Sequence, residues 1–595
     1  MRQRTDPGGR DPIGSRGSGQ PWPLPGSPAA GKPATTPLVI GVTSHRDIPA
    51  EEVEPLRKCV RAFFTQLREA FPELPLVVLS ALAEGGDQLI AEEALAAGAR
   101  LIAPLPLPRA LYVDDFATPA VRATFETLCN RAEVVLLPRL MEQPHHVIGA
   151  HGAARDRQYA KAGVYIASHC HVLLSIWDGN GAAGLGGTAQ IVHYHLTGTP
   201  PGLVLRHPHS RHVLAGSDES LLYHIVCSRD GDGPAPGLQA TQAGWRSAED
   251  MAFHATLPED FRLMFSRMAE FNNECARHAE AIDDAPREMA GTPSGATAEI
   301  DRLFHAADWL AVHFRRRVIM AMRLTYTLAG LMGIAFTFYA HLPGNNFLIY
   351  LFLVMFATGG AVAILAHRRG WHRKYLDYRA LAEGLRIQSC WRRAGIAASA
   401  DHEFAHDNFL QKQNIELGWI RNVMRAASLY PSTHPEEPSA AALAEVIAEW
   451  VGESGKSGQL NYYERKSAER SGVHHITETI GRVSLWGGVT ISVFLAAFAL
   501  KLDEEAKVTL VTIMAVLSII AAVREAYSYR KADRELIRQY RFMQRIFASA
   551  RAALDRTQDP AQQRAILLSL GDAALTEHAE WTLMQRERQV EHSKL

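Results

Sequence analysis

The sequence predicts an α/β domain built on a parallel sheet, followed by an all-α membrane region of four transmembrane helices in two hairpins with cytosolic helices. Three observations predict it. Between residues 37 and 230, short apolar runs alternate with helix-spaced segments, the pattern of a parallel sheet with crossover helices. A glycine-rich stretch from Trp177 to Thr188 separates one such run from a helix. Four long uncharged apolar runs all lie after residue 320. A length of 595 residues exceeds what one ordinary core organises, so several parts are expected.

Residues 1–36 are rich in Gly, Pro, Ser and Arg, without apolar periodicity, and read as a disordered lead lacking a signal-peptide core. The α/β domain is expected over 37–233. Its first strand ends at Gly41, and Val42-Thr43-Ser44-His45-Arg46-Asp47 follows. Glu51–Ala70 has helical spacing of Leu56, Val60, Phe63, Phe64 and Leu67. Strand Leu76–Leu79 leads into Glu84-Gly85-Gly86-Asp87, and helix Gln88–Ala97 is stopped by Gly98. Strands Arg100–Ala103 and Val134–Leu137 come next, then helix Arg155–Ala167 with Arg155, Tyr159 and Tyr165. Strand Val172–Ile176, the glycine stretch, helix Ala189–Leu196 and an edge strand at His224–Cys227 complete the pattern.

Ligands of such sheets sit beyond the carboxyl ends of the strands. The polar clusters Thr43–Asp47, Glu84–Asp87 and Asp178–Thr188 occupy those places. Glycines let the backbone approach a phosphate, and the free N–H groups of a helix start bind it. Phosphate is therefore expected on Gly186, Gly187 and Thr188, with Arg46 or Arg155 as cationic partners. Glu84, Asp87 and Asp178 are expected on ribose hydroxyls. The bland alternatives are helix caps for Glu84 and Asp87 and solvated surface charges for the arginines.

Residues 234–314 read as a helical connector, 315–395 as the first transmembrane hairpin with its cytosolic helix, and 396–470 as a cytosolic helical segment. Residues 471–550 read as the second hairpin with its helix, and 551–595 as a C-terminal helical tail. The apolar runs are Leu324–Ala340, Phe347–Ala366, Val483–Leu500 and Val508–Val523. Each is near the roughly 17–25 residues that cross a bilayer. Cations crowd the outer flanks (Arg315–Arg317, Arg323, Arg368, Arg369, Arg482, Arg524, Arg530), so both hairpins are expected to have their ends, both termini and the α/β domain in the cytosol. Tyr378-Arg379 after the first hairpin and Tyr529-Arg530 after the second hint at an internal repeat of amphipathic helices. No acid lies mid-span, which disfavours a proton pump or ion-coupled transporter.

A net charge of −1 gives no global basic character for nucleic acid, and the six scattered cysteines fit reduced thiols. Gly452-Glu-Ser-Gly455-Lys456-Ser457 imitates a phosphate-binding P-loop, but its first glycine position is Trp450 and no strand precedes it. The histidine pairs His145-His146, His193/His195 and His474-His475 lack ligand spacing, so no metal site and no catalytic set is assigned.

Gly41-Val-Thr43-Ser44-His45-Arg46, Leu82-Ala-Glu84-Gly85-Gly86-Asp87, Arg155…Tyr159…Gly163…Tyr165, Trp177-Asp178-Gly179 and Gly186-Gly187-Thr188 together resemble a prokaryotic SLOG domain. This is the Rossmann-like class also found at the cytosolic end of melastatin-type TRP channels. The two hairpins, each with a Tyr-Arg helix, resemble SLATT domains. The resemblance implies binding of a nucleotide or nucleotide-derived second messenger, with no other cofactor. It also implies a membrane effector, thought to form pores in anti-phage defence, here expected as a homo-oligomer in the inner membrane. Related phosphoribohydrolases carry Gly-Gly-x-Gly-Thr-x-x-Glu. In this chain Leu185 replaces the second glycine and Ile191 the glutamate, which argues for binding without hydrolysis. A membrane-tethered nucleotide-processing enzyme and a structural membrane scaffold are the alternatives.

Overall fold

The computed structural model describes residues 33–137, 152–181, 184–198, 220–229, 232–286, 297–341, 346–396, 409, 415–429, 439–498 and 500–593. The lead expected to be disordered, up to residue 32, and the His145-His146 pair lie outside the described residues. The apolar runs form strands β1 (Leu38–Ser44), β2 (Leu76–Leu79), β3 (Arg100–Leu105), β4 (Glu133–Leu136), β5 (Val172–Trp177), β6 (Leu221–Val226) and β7 (Ala243–Ser247). They make one sheet of order β4-β3-β2-β1-β5-β6-β7, parallel except where β7 pairs antiparallel with β6. It is a Rossmann-like arrangement in which the strand order reverses between β1 and β5. A crevice opens at such a switch point, outside the carboxyl ends of these two strands.

Helices α1 (Ala50–Ala70), α2 (Gly86–Ala96), α3 (Pro119–Arg131), α4 (Ala153–His169) and α5 (Thr188–Thr197) accompany the sheet. Central strands are apolar throughout because both their faces are covered. Leu38, Ile40, Val42 and Leu174 meet Leu56, Val60 and Phe63 of α1 on one face. Val39, Leu173 and Leu222 meet Ile166, Val192 and Leu196 on the other. Strand β7 lies in the segment read as connector, since Ala-Gly-Trp-Arg-Ser shows no alternation, and β6 begins earlier than the expected 224.

The remainder is helical: α6 (Glu259–Arg277), α7 (Ala298–His341), α8 (Asn346–Arg368), α9 (Trp371–Arg393), α10 (Gly418–Ala427), α11 (Gly458–Phe498), α12 (Glu504–Lys531), α13 (Asp533–Leu554) and α14 (Pro560–Ser593). The first apolar core continues from the sheet through Phe265 and Phe271 of α6 to Leu303 and Phe304 of α7 and Leu381 of α9. The second sheet face is closed by Ala426 of α10 and by Leu429. His171 ties this contact, accepting from the Val39 N–H at Nδ1 (3.1 Å) and donating from Nε2 to the Asn422 carbonyl (2.9 Å). Burial pushes its pKa down to about 3, so the ring is neutral.

Among the described residues, four helical stretches are long and apolar enough to cross a membrane: in α7, in α8, in α11 and in α12. They carry large exposed apolar side chains, with Phe347 67%, Val354 63% and Trp486 66% exposed. A contiguous surface of this kind marks a membrane protein. The hairpins pack through α7 and α12, where Gly333 receives Ile519 and Tyr326 meets the Tyr527 ring at 5.6 Å.

The two hairpins share one plan. A long helix runs from the helical body through the span, a second span returns, a left-handed residue breaks it, and a third helix packs back. The breaks are Gly370 (φ 61°) and Ala532 (φ 54°). Matching them sets Tyr540-Arg541 against Tyr378-Arg379, at the same distance past each break, whereas Tyr529-Arg530 closes the preceding span. The Tyr529-Arg530 match is therefore a shifted register.

Candidate functional site

The carboxyl ends of β1 and β5 bring Ser44-His45 and Trp177-Asp178 side by side, since Ser44 pairs with Ile176. The loop before α2 packs onto the same edge. Gly85 has φ 88°, and a Cβ there would fall 2.8 Å from the His45 carbonyl oxygen, so only glycine lets this loop approach. Gly86 faces Ser44 equally closely and donates its N–H to the His45 carbonyl at 3.1 Å. The approach delivers Asp87, in the first turn of α2, to Ser44, whose hydroxyl donates to Oδ1 at 2.5 Å. Burial pushes the Asp87 carboxyl up to about 6, against the opposing pull of Ser44, the Ala83 backbone and Arg46. Arg46 itself is exposed and makes no ion pair among the described residues.

Across the crevice, His45 Nε2 lies 3.0 Å from Asp178 Oδ1. Asp178 also accepts from the Asn180 backbone (3.0 Å) and side-chain amide (3.1 Å), closing the turn at Gly179. Burial opposes its charge, yet the bonds from His45 and Asn180 outweigh this and hold it below the usual carboxylate range. Gly179 (φ 84°) is packed beneath Leu238 and Ala235.

Arg155 is buried and committed: it donates to Asp115 Oδ2 at 2.7 Å and to the Leu111 carbonyl at 3.1 Å. Tyr159, one turn along α4, donates to the same carboxylate. The Tyr112 ring lies 5.8 Å from Tyr159, within the field of Arg46 and Asp87. Tyr112 and Asp115 are thus neighbours of the site that sequence reasoning missed. Their signal was an acidic pair, Asp114-Asp115, just after the proline-broken end of β3.

The glycine loop docks on the same helix. Gly186 (φ 80°) lies against Ala160, where a Cβ would meet the Ala160 nitrogen at 2.9 Å. The Gly186 N–H donates to Gln190 Oε1 at 2.6 Å, Gly187 caps α5, and buried Thr188 begins it. Of the first N–H groups of α5, that of Gln190 already bonds the Gly187 carbonyl at 3.0 Å, while those of Thr188 and Ala189 precede the first intrahelical acceptor. Ile191 is only 1% exposed and packs into the notch left by Gly163. An acid in that direction would face Val164 and Tyr194.

The structure thus brings Ser44, His45, Arg46, Gly85, Asp87, Asp178 and Gly179 to one edge, with Arg155, Tyr159, Gly186, Gly187 and Thr188 along α4. Glu84 lies at the rim, accepting from the Ala117 N–H at 3.3 Å. Thr43 is inside β1 opposite Ser175. Gly41 is deeper still, pressed under Ile166 and Cys170, where it sets the approach of α4 to the sheet.

The loop at Gly452–Ser457 is a closed turn whose donors already serve a carboxylate. Glu464 accepts from Ser454 Oγ at 2.7 Å and from the Gly455 N–H at 3.0 Å. Among the described residues, no group of three His, Cys, Asp or Glu side chains is placed to hold a metal ion. Compared with family models, with curated proteins and with solved structures, the chain matches none.

Proposed function

We propose that this chain is a membrane-anchored sensor whose SLOG-like domain binds a nucleotide-derived signal and whose SLATT-like hairpins act on the bilayer. The observation that carries the reading is the convergence of three polar clusters on the crevice between β1 and β5. A helix start with glycine approach suits a phosphate, Arg46 adds a mobile cation, and Asp87 and Asp178 suit hydroxyl donors such as those of ribose. A physical route joins site to membrane. The near end of α4 borders the crevice, and Tyr165 near its far end donates to the Leu429 carbonyl at 2.8 Å. Gln388 of α9 donates to the Met424 carbonyl at 3.0 Å, and α9 continues span α8 through Gly370. A ligand moves such a chain only by favouring one packing over another.

In this reading the cation-rich ends of the spans, both termini and the α/β domain face the cytosol, the assembly is a homo-oligomer in the inner membrane, and membrane damage serves anti-phage defence. Purified protein in dye-loaded liposomes tests it, with a panel of nucleotide signals. Ligand-dependent leakage, abolished by Arg46→Ala with Asp178→Ala, is expected. Equal leakage with and without every signal ends the gating idea. Mass spectrometry of small molecules retained by the full chain identifies the ligand.

A second reading rests on Asp87. A buried carboxyl with a pKa near 6 can exchange a proton at neutral pH, as nucleotide N-glycosidase chemistry requires. Release of free base from nucleoside monophosphates or NAD, lost in Asp87→Asn, is the outcome that favours it.

A further inference from the structure

Where the spans join the helical body, Arg323, Arg368, Arg369, Arg482 and Arg530 are exposed and make no ion pair with a carboxylate among the described residues. Cations deeper in the body behave differently. Arg373 and Lys374 bind Glu270 (2.6 and 3.1 Å), Arg379 binds Asp308 (3.0 Å) and Arg393 binds Glu449 (2.6 Å). The body pairs its own charges and leaves those of the collar for something else.

Arg524 narrows what that is. It follows Val523, the last apolar residue of its span, and precedes Tyr527, whose ring meets Tyr326; aromatic rings of this kind mark the headgroup layer. Its stem lies flat across Gly481 of α11, where a Cβ would meet the Arg524 Cδ at 2.9 Å. Nη1 binds the neighbouring Glu525 at 2.7 Å. Nε and Nη2 are buried without a hydrogen-bond partner among the described residues. These two nitrogens form one edge of the guanidinium, the fork that grips two oxygens of a single phosphate. With 13% of its side chain exposed, Arg524 lies at the margin of the contact between α11 and α12, and a turn of its end is needed to bring this edge to the headgroup layer.

We propose that the groove between α11 and α12 holds the headgroup of an anionic phospholipid, its phosphate gripped side-on by Arg524 and flanked by Arg482. The site is independent of what the α/β domain binds.

The test uses the full chain in neutral detergent. Phosphatidylglycerol or phosphatidylcholine is added in mixed micelles at equal mole fraction, and inorganic phosphate in a third arm. Thermal stability and lipid retained in native mass spectra are read. Phosphatidylglycerol is expected to stabilise and to be retained, phosphatidylcholine and inorganic phosphate not. Arg524→Gln is expected to weaken phosphatidylglycerol binding about tenfold, and Arg369→Gln, on the other hairpin, less than about twofold. Arg524→Lys keeps the charge without the fork and is expected to fall between them, which guards against a misfolded glutamine variant. Equal binding of the two lipids, equal losses in Arg524→Gln and Arg369→Gln, or full stabilisation by inorganic phosphate alone each overturns the proposal.

Discussion

Gly163 and Ile191 dock the glycine loop onto α4, and that contact can be measured. In Gly163→Ala the new Cβ would lie 2.7 Å from Ile191 Cγ1 and closer still to Cδ1. Val164 and Tyr194 pack on Ile191 and limit its retreat. Overpacking of this kind costs about 1–3 kcal/mol. Ile191→Val removes Cδ1 and by itself costs about 0.5–1.5 kcal/mol. In the double variant the alanine methyl takes the vacated space, so the loss should fall short of the sum by about 1 kcal/mol or more. Thermal unfolding of the detergent-solubilised chain reads this at about 2–4 °C per kcal/mol for a cooperative unit of 150–250 residues. Gly163→Ala alone should thus lower the midpoint by roughly 2–12 °C. If the double variant falls by the full sum of the single losses, the two side chains do not share the notch and the docking argument fails. Ile191→Glu, which supplies the motif's glutamate while Leu185 still departs from it, should be the worst single change, losing several kcal/mol by burying a carboxylate, and should yield no hydrolase.

Burial raises the Asp87 carboxyl from 3.8 to about 6, so the folded state holds this proton more tightly than the unfolded chain. Stability from this group is full below the unfolded value and falls as pH rises through about 6, by about 3 kcal/mol in all; Asp87→Asn should flatten that slope in midpoint-against-pH curves between pH 4 and 8. His171→Ala removes both bonds between β1 and α10 and should cost about 2–4 kcal/mol, with faster hydrogen exchange at the Val39 amide as the local readout. Gly571→Ala places a Cβ 2.5 Å from Cε2 and 2.6 Å from Nε1 of the rigid Trp391 indole, and closer still to Cζ2. It should prise α14 from α9 at a cost of about 2 kcal/mol or more, seen as faster proteolysis of the C-terminal helix.

The strands and spans were legible because both are written as apolar runs whose length and flanks differ. The crevice was legible because polar residues must begin where a buried strand ends. What escaped depends on partners remote in sequence. Arg155 looked available to a ligand, but Asp115, supplied by the turn after β3, claims it. Helix α9 read as amphipathic, yet its residues from Leu376 to Trp391 are buried, all but Arg379. Its charges are tolerated because partners neutralise them: Arg586 of α14 binds Asp377 at 2.5 Å, and Glu383 is paired with Arg379 and Arg386 of α9 itself. Periodicity counts apolar positions and cannot foresee such pairs. The repeat was visible as Tyr-Arg, but its register needed the left-handed breaks, and nothing in Ala532 announces one.

The closure of the second sheet face by α10 carries a consequence for the order in which the protein is made. Residues 418–427 leave the ribosome only after α7 and α8, the first pair of spans, have been synthesised. Until then Val39, Leu173 and Leu222 lack part of their cover, and His171 has no Asn422 carbonyl to meet. The α/β domain therefore reaches its final packing only after the first hairpin has had its chance to enter the bilayer. A chain that stalls at insertion carries a sheet with one face still partly uncovered, so the folding of this domain is tied to the making of the membrane region.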